Sequence, residues 1–105
     1  MRVSQGVSIE NLIKLLYKTG KVVLGSKKAV KLVKSGRAVG VVLASNIPKH
    51  VVEDFTYYAR LGNVRVIRYS GSSYELGALL GKPFPVSVIA IIDPGESNIL
   101  EMGEQ

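Results

Sequence analysis

The chain has 105 residues, 47% of them hydrophobic, which is enough apolar material for one core and too little for two. Without cysteine it can hold neither a disulfide framework nor a thiolate metal site, and no run approaches the roughly 20 apolar residues of a membrane span. The formal net charge is +6 but unevenly placed: residues 1–49 hold ten of the fourteen Lys and Arg against one acid, Glu10, for +9, and the remainder has four basic and seven acidic residues, for −3. These features predict a single domain over residues 1–105, soluble and intracellular, with one face suited to a polyanion.

The chain alternates helical and strand patterns, with no linker or internal repeat, and only its two tails read as loose. Ser8 opens a helix with Ile9, Leu12, Ile13 and Leu16 at three- and four-residue spacing, ending near Gly20. A strand at 22–24 follows, then a tight Gly25-Ser26 turn into a helix at 26–35. Ser26 is the expected cap, and Gly25 lets another backbone come close. Lys27, Lys31 and Lys34 share one face of this helix, and Ala29, Val30 and Val33 the other, before Gly36 ends it. Lys27 and Lys28 lie at the positive end of the helix dipole, where cations are mildly destabilising, so their presence asks for an outside anion.

Residues 38–44 form a nearly continuous apolar run, the mark of a strand buried on both faces. Ser45 and Asn46 close it and Pro48 starts a helix at 49–61, which buries Val51, Val52, Phe55, Tyr58 and Ala59 and ends at Gly62. Residues 64–69 alternate as a strand; Ser72 or Ser73 caps a short helix through Leu80, with Glu75 near its start and Gly81 as its stop. A second long apolar strand at 86–92 leads through Asp93-Pro94-Gly95 into a last short helix at 97–102. The order α-β-α-β-α-β-α-β-α predicts a three-layer α/β/α sandwich on a four-stranded mixed sheet, with the strands at 22–24, 38–44 and 86–92 in its centre.

The inventory for catalysis is thin. His50 is the only histidine and reads as a surface residue beside Lys49, and Glu53 and Asp54 diverge by about 100° on their helix, too far to share a proton or a metal. Gly77-Ala78-Leu79-Leu80-Gly81-Lys82-Pro83 has a superficial likeness to a phosphate-binding loop, but it lacks one spacer, carries proline where magnesium needs Ser or Thr, and closes a helix instead of opening one. No cofactor or metal is expected.

Three loops should meet at one end of the sheet: residues 24–26, 44–48 and 81–86. The first offers backbone amides at Gly25 and Ser26 and the charges of Lys27, Lys28 and Lys31; the second offers the Asn46 amide; the third offers Lys82 and Phe84, the latter braced by Pro83 and Pro85. Splayed RNA bases are held by such a mixture of stacking, edge hydrogen bonds and phosphate contacts. Two roles stay open for Asn46, reading a base edge or bonding its own turn, and two for Phe84, an exposed stacker or a core residue. Tyr57 and Tyr58 read as packing residues.

At these residues the sequence resembles the archaeal and eukaryotic large-subunit ribosomal protein thirty-e family, within the superfamily of kink-turn RNA-binding proteins. The resemblance rests on Thr19-Gly20-Lys21-Val22-Val23-Leu24-Gly25-Ser26-Lys27-Lys28, Ala44-Ser45-Asn46-Ile47-Pro48, Tyr57-Tyr58-Ala59-Arg60-Leu61, Glu75-Leu76-Gly77-Ala78-Leu79-Leu80-Gly81-Lys82 and Asp93-Pro94-Gly95-Glu96-Ser97. It implies an α/β/α sandwich that binds a kink-turn of ribosomal RNA, an internal loop where tandem G·A pairs flank a sharply bent bulge. Carried over by motif, the RNA contacts are Gly25, Ser26 and Lys27 at the first turn, Asn46 in the second loop, and Phe84 and Val86 in the third. Relatives serving guide-RNA particles carry Gly-Thr-Asn-Glu where this chain has Gly25-Ser26-Lys27-Lys28, which favours the ribosomal subtype; Val51 stands where some relatives have a basic residue. The resemblance implies no reaction, a cytoplasmic ribosomal location, and rRNA and other large-subunit proteins as partners; nothing in the sequence suggests an obligate interface, and a monomer is expected outside the ribosome. The alternatives are the core protein of a guide-RNA modification particle and, more remotely, a small nucleotide-binding domain using Gly81-Lys82.

Overall fold

The computed structural model describes residues 8–102, and the tails expected to be loose lie outside them. Elements alternate as α1 Ile9–Thr19, β1 Lys21–Leu24, α2 Ser26–Lys34, β2 Gly40–Leu43, α3 Lys49–Gly62, β3 Arg65–Arg68, α4 Ser73–Leu79 and β4 Val88–Asp93, followed by a 3₁₀ turn, Ile99–Met102. None of the described helices is long and apolar enough to cross a membrane.

The four strands form one mixed sheet in the order β1-β4-β2-β3, with β2 and β3 parallel and β4 antiparallel to both neighbours. Side chains alternate between its faces. Val42, Ile67, Ile89 and Ile91 pack under Leu12, Ile13 and Leu16 of α1, Leu76 of α4 and Ile99. Val41, Leu43, Val66, Val88 and Ala90 pack under Ala29 and Val33 of α2 and Phe55 and Ala59 of α3. Two apolar layers on one sheet make the α/β/α sandwich that the alternating pattern predicts.

One expectation fails: β1 is an edge strand, and the centre belongs to β4 and β2. Its Val22, Val23 and Leu24 are half-buried because helices cover both faces, Val22 and Leu24 against the α1 layer and Val23 against the α2 layer, and not because strands flank it on both sides. The strands are also shorter than their apolar runs. Ala38, Ala44, Val64, Tyr69 and Val86 are all buried, so the flanks of each run fill the core beyond the paired residues.

Register places the loops. Leu24 lies opposite Ile89, Leu43 opposite Val88 and Leu43 beside Arg68, so the carboxyl ends of β1, β2 and β3 and the amino end of β4 share one end of the sheet.

Candidate nucleic-acid interface

At that end α2 begins without a side-chain cap. Gly25, not Ser26, is the cap residue, with φ 113° and ψ 139°, a conformation open to glycine and strained for other residues. Its N–H donates to the Val88 carbonyl at 2.9 Å, and its carbonyl accepts the first helical bond from Ala29 at 3.0 Å. This geometry carries Ser26 into the first helical turn, which is why its hydroxyl cannot act as the expected cap. The first turn has no acidic residue; Lys27 and Lys28 are exposed there, Ser26 is half-buried, and Lys31 is exposed one turn further on.

The second loop contributes a bridge. Asn46 Oδ1 accepts from the Ser73 backbone N–H at 2.8 Å, and its Nδ2 donates to Ser73 Oγ at 3.2 Å. A backbone N–H can only donate, so the orientation of the amide is determined by its partner. Asn46 therefore serves neither its own turn nor a base alone: it ties the β2–α3 loop to the start of α4 and keeps one N–H and one lone pair free for a ligand. Ser73 N–H is thereby satisfied, and Ser72 with Glu75 completes a capping box, Glu75 N–H to Ser72 Oγ at 3.2 Å and Ser72 N–H to Glu75 Oε1 at 2.7 Å. Ser45 N–H reaches the Gly71 carbonyl at 2.9 Å and Ala44 N–H the Ser87 carbonyl at 3.0 Å, so the loops are stitched together by backbone as well.

The third loop leaves α4 through a Schellman turn. Gly81 has φ 76°, its N–H bonds the Ala78 carbonyl at 3.0 Å, and the Lys82 N–H bonds the Gly77 carbonyl at 2.9 Å. The segment thus closes a helix, as its order in the sequence implies, and Lys82 Nζ lies 5.1 Å from the Tyr17 ring centroid. The chain then folds back over Gly77, where a Cβ would collide with the Phe84 carbonyl oxygen. Phe84 is left 52% exposed, which settles its role as a surface aromatic. Val86 is buried in the α1 layer and donates its N–H to the Ser73 carbonyl at 2.9 Å, so its side chain supports the loop from below. Sequence reasoning missed Tyr74, 70% exposed on the first turn of α4 and lining a shallow groove with Lys82, Pro83, Phe84 and Pro85.

The family model for the ribosomal protein L7Ae/L30e/S12e/Gadd45 family matches residues 7–101. The chain belongs to that family. Relatives named large ribosomal subunit protein eL30 include one from Sulfurisphaera tokodaii, 50% identical over 88% of this chain and 87% of the relative, and one from Methanocaldococcus jannaschii, 47% identical over 100% and 96%. A third, from Methanothermobacter thermautotrophicus, is 46% identical over 91% and 98%. A solved structure of a protein of unknown function from Bacillus halodurans C shares the fold, with TM-score 0.76 at 24% identity, covering 90% of this chain and 93% of that one.

In this L7Ae/L30e-type chain the sequence-predicted residues meet at one end of the sheet, on three segments tied to each other or to β4 by hydrogen bonds. Lys31 stands further along α2 and Val86 lies beneath the surface. Among the described residues the one ion pair is Lys49–Glu53, at 4.0 Å and exposed, on the first turns of α3. Among the described residues, none of the α2 lysines is ion-paired with a carboxylate. At the start of α4 the field has the opposite sign: burial first, then the carboxylates of Glu10 and Glu75, hold the Tyr69 hydroxyl above its ordinary pKa of 10.0.

Proposed function

We propose that the protein is a structural constituent of the large ribosomal subunit that binds a kink-turn of ribosomal RNA with this loop end and performs no reaction. Lys27, Lys28 and Lys31 hold phosphates, the α2 amides beside Gly25 and Ser26 approach the backbone, the free N–H of Asn46 reads a base edge, and Phe84 stacks or wedges against a splayed base. Lys82 lies at the margin, and Val86 contributes by supporting the Phe84 loop. The observation that carries this reading is the uncapped, lysine-flanked start of α2 lying at the same end of the sheet as a bridged asparagine and an exposed phenylalanine. The eL30 names of relatives 46–50% identical support the ribosomal setting.

The test is a titration of the protein into a labelled kink-turn RNA, beside the same RNA with its tandem G·A pairs replaced, across a salt series. Binding that is lost with those pairs is the expected result. Equal and steeply salt-dependent binding to both RNAs would reduce the loop end to a non-specific polyanion surface.

A further inference from the structure

Helices α2 and α3 lie side by side on one face of the sheet, and the seam between them opens into two hollows. The first, about 180 Å³, is lined by Ser26, Lys27, Val30, Val51, Asp54 and Phe55. The second, about 430 Å³, lies nearer the carboxyl ends of both helices and is lined by Val33, Lys34, Gly36, Tyr58, Leu61 and Gly62. Lys27 belongs both to the first hollow and to the loop end, so the seam continues directly out of the interface described above.

Three features give the second hollow a chemistry. Its basic margin is Lys34, whose Nζ sits 4.7 Å from the Tyr58 ring centroid, and among the described residues no carboxylate lines it. Its apolar margin is Leu61, a branched aliphatic side chain left 70% exposed. At its rim Gly36 is exposed and adds no side chain to cover the hollow. The volume falls in the range of roughly 300–1,000 Å³ typical of small-ligand clefts. Lys27, Lys31 and Lys34 recur at four- and three-residue spacing along α2, spanning about 10 Å of helix axis, a row of cations leading from the loop end to this hollow.

We propose that this hollow is a second RNA subsite: a single-stranded segment leaving the loop end runs along the α2–α3 seam, its phosphates on Lys31 and Lys34 and one unstacked base seated on Leu61 over Gly36. The continuity of the lysine row, and a lining that has a lysine and no acid among the described residues, favour RNA over a protein neighbour. Asp54, across from Lys27 in the first hollow, keeps the phosphates on the α2 side of the seam. The subsite rests on the RNA-binding reading above but is separable from it.

Three RNAs separate them: a kink-turn with blunt helical ends, and the same kink-turn carrying a four-nucleotide uridine overhang, with 4-thiouridine within it, on one end or on the other. For the unaltered protein one overhang is expected to raise affinity about tenfold, near the low end of what a stacked base contributes. It is also expected to crosslink to the segment 58–61. Lys34→Ala and Leu61→Ser, both at exposed positions, should abolish the gain and leave blunt-RNA affinity unchanged. No gain and no crosslink at either end overturns the subsite and leaves the hollow to a protein neighbour. Equal losses by both variants on blunt RNA overturn it too. Failure of blunt RNA to bind strikes the kink-turn reading instead; the uridine strand alone, titrated and crosslinked at low salt, then decides the seam by itself.

Discussion

Of the three helices that start at the loop end of the sheet, α2 and α4 start in opposite ways. The first turn of α4 is closed from within: Ser72 and Glu75 cap each other's amides and Asn46 takes the Ser73 N–H. The first turn of α2 has a glycine cap with no side-chain acceptor, and lysines where α4 has its glutamate. In α4 the dipole is neutralised by the chain itself, and the helix serves as a rigid anchor for the Phe84 loop through the close contact at Gly77. In α2 the dipole and two cations add up to an unbalanced positive end, which is destabilising to the free fold and favourable to an anion. One fold thus builds a closed support and an edge open to an anion from the same element, and the difference lies in a few side chains.

The contrast can be broken by substitution. The largest effect is expected at the bridge: Asn46→Ala leaves the Ser73 amide without its acceptor and should cost about 1–3 kcal/mol of unfolding free energy in a urea titration. That loss is structural, so RNA binding by Asn46→Ala reports two effects at once. Asn46→Asp separates them, because a carboxylate still accepts from Ser73 N–H and can accept from the Ser73 hydroxyl once that turns to donate, while it repels a phosphate and has no N–H for a ligand; near-native stability with weakened kink-turn binding is the expected outcome. Next in size, Ser72→Ala should lower stability by about 1 kcal/mol, whereas Ser26→Ala should leave it unchanged, since only the former hydroxyl caps a helix. Equal costs for the two serines would erase the distinction between the helix starts. Smaller still, Lys27→Ala should make the free protein more stable by a few tenths of a kcal/mol while reducing the salt slope of RNA binding by about one unit.

Much of this arrangement is legible in the residues. The spacing of Leu12, Ile13 and Leu16, the run at 38–44 and the stop at Gly81 are local signals, and each element forms where its pattern lies. The lysines of α2 are legible for a similar reason, because their conflict with the helix dipole is contained in one turn. The Asn46–Ser73 bridge is not, since it joins residues 27 apart whose types suit many turns. Nor is the edge position of β1, because an apolar run says that both faces are covered and nothing about which strands pair. The cap of α2 is missed by a single residue: Ser26 has the right side chain, and the φ of Gly25 moves the helix start one position earlier. Gly77 did leave a signal, a glycine inside a helical pattern, whose meaning is the backbone that passes over it seven residues later.

The smallest effect tests the sign of the field at the closed end. Tyr69 follows β3 with its ring buried, and burial, Glu10 and Glu75 in that order raise its hydroxyl above 10.0. A raised folded-state pKa means that the fold favours the neutral phenol. The resulting stabilisation is fully present below pH 10 and is lost as pH climbs through the folded value, because the unfolded chain ionises first. Tyr69→Phe has no such component, so the stability of the unaltered protein relative to this variant should decline between about pH 9 and pH 11. Lysines titrating in that window contribute to both proteins and cancel in the difference. Glu75→Gln, whose amide oxygen can still accept the Ser72 N–H, should bring the Tyr69 absorbance titration only slightly back toward 10.0, since Glu75 is the weakest of the three causes. A stability difference that stays flat across this range would mean that the phenol is solvated in the fold, and the negative field assigned to the start of α4 would no longer stand against the positive one at α2.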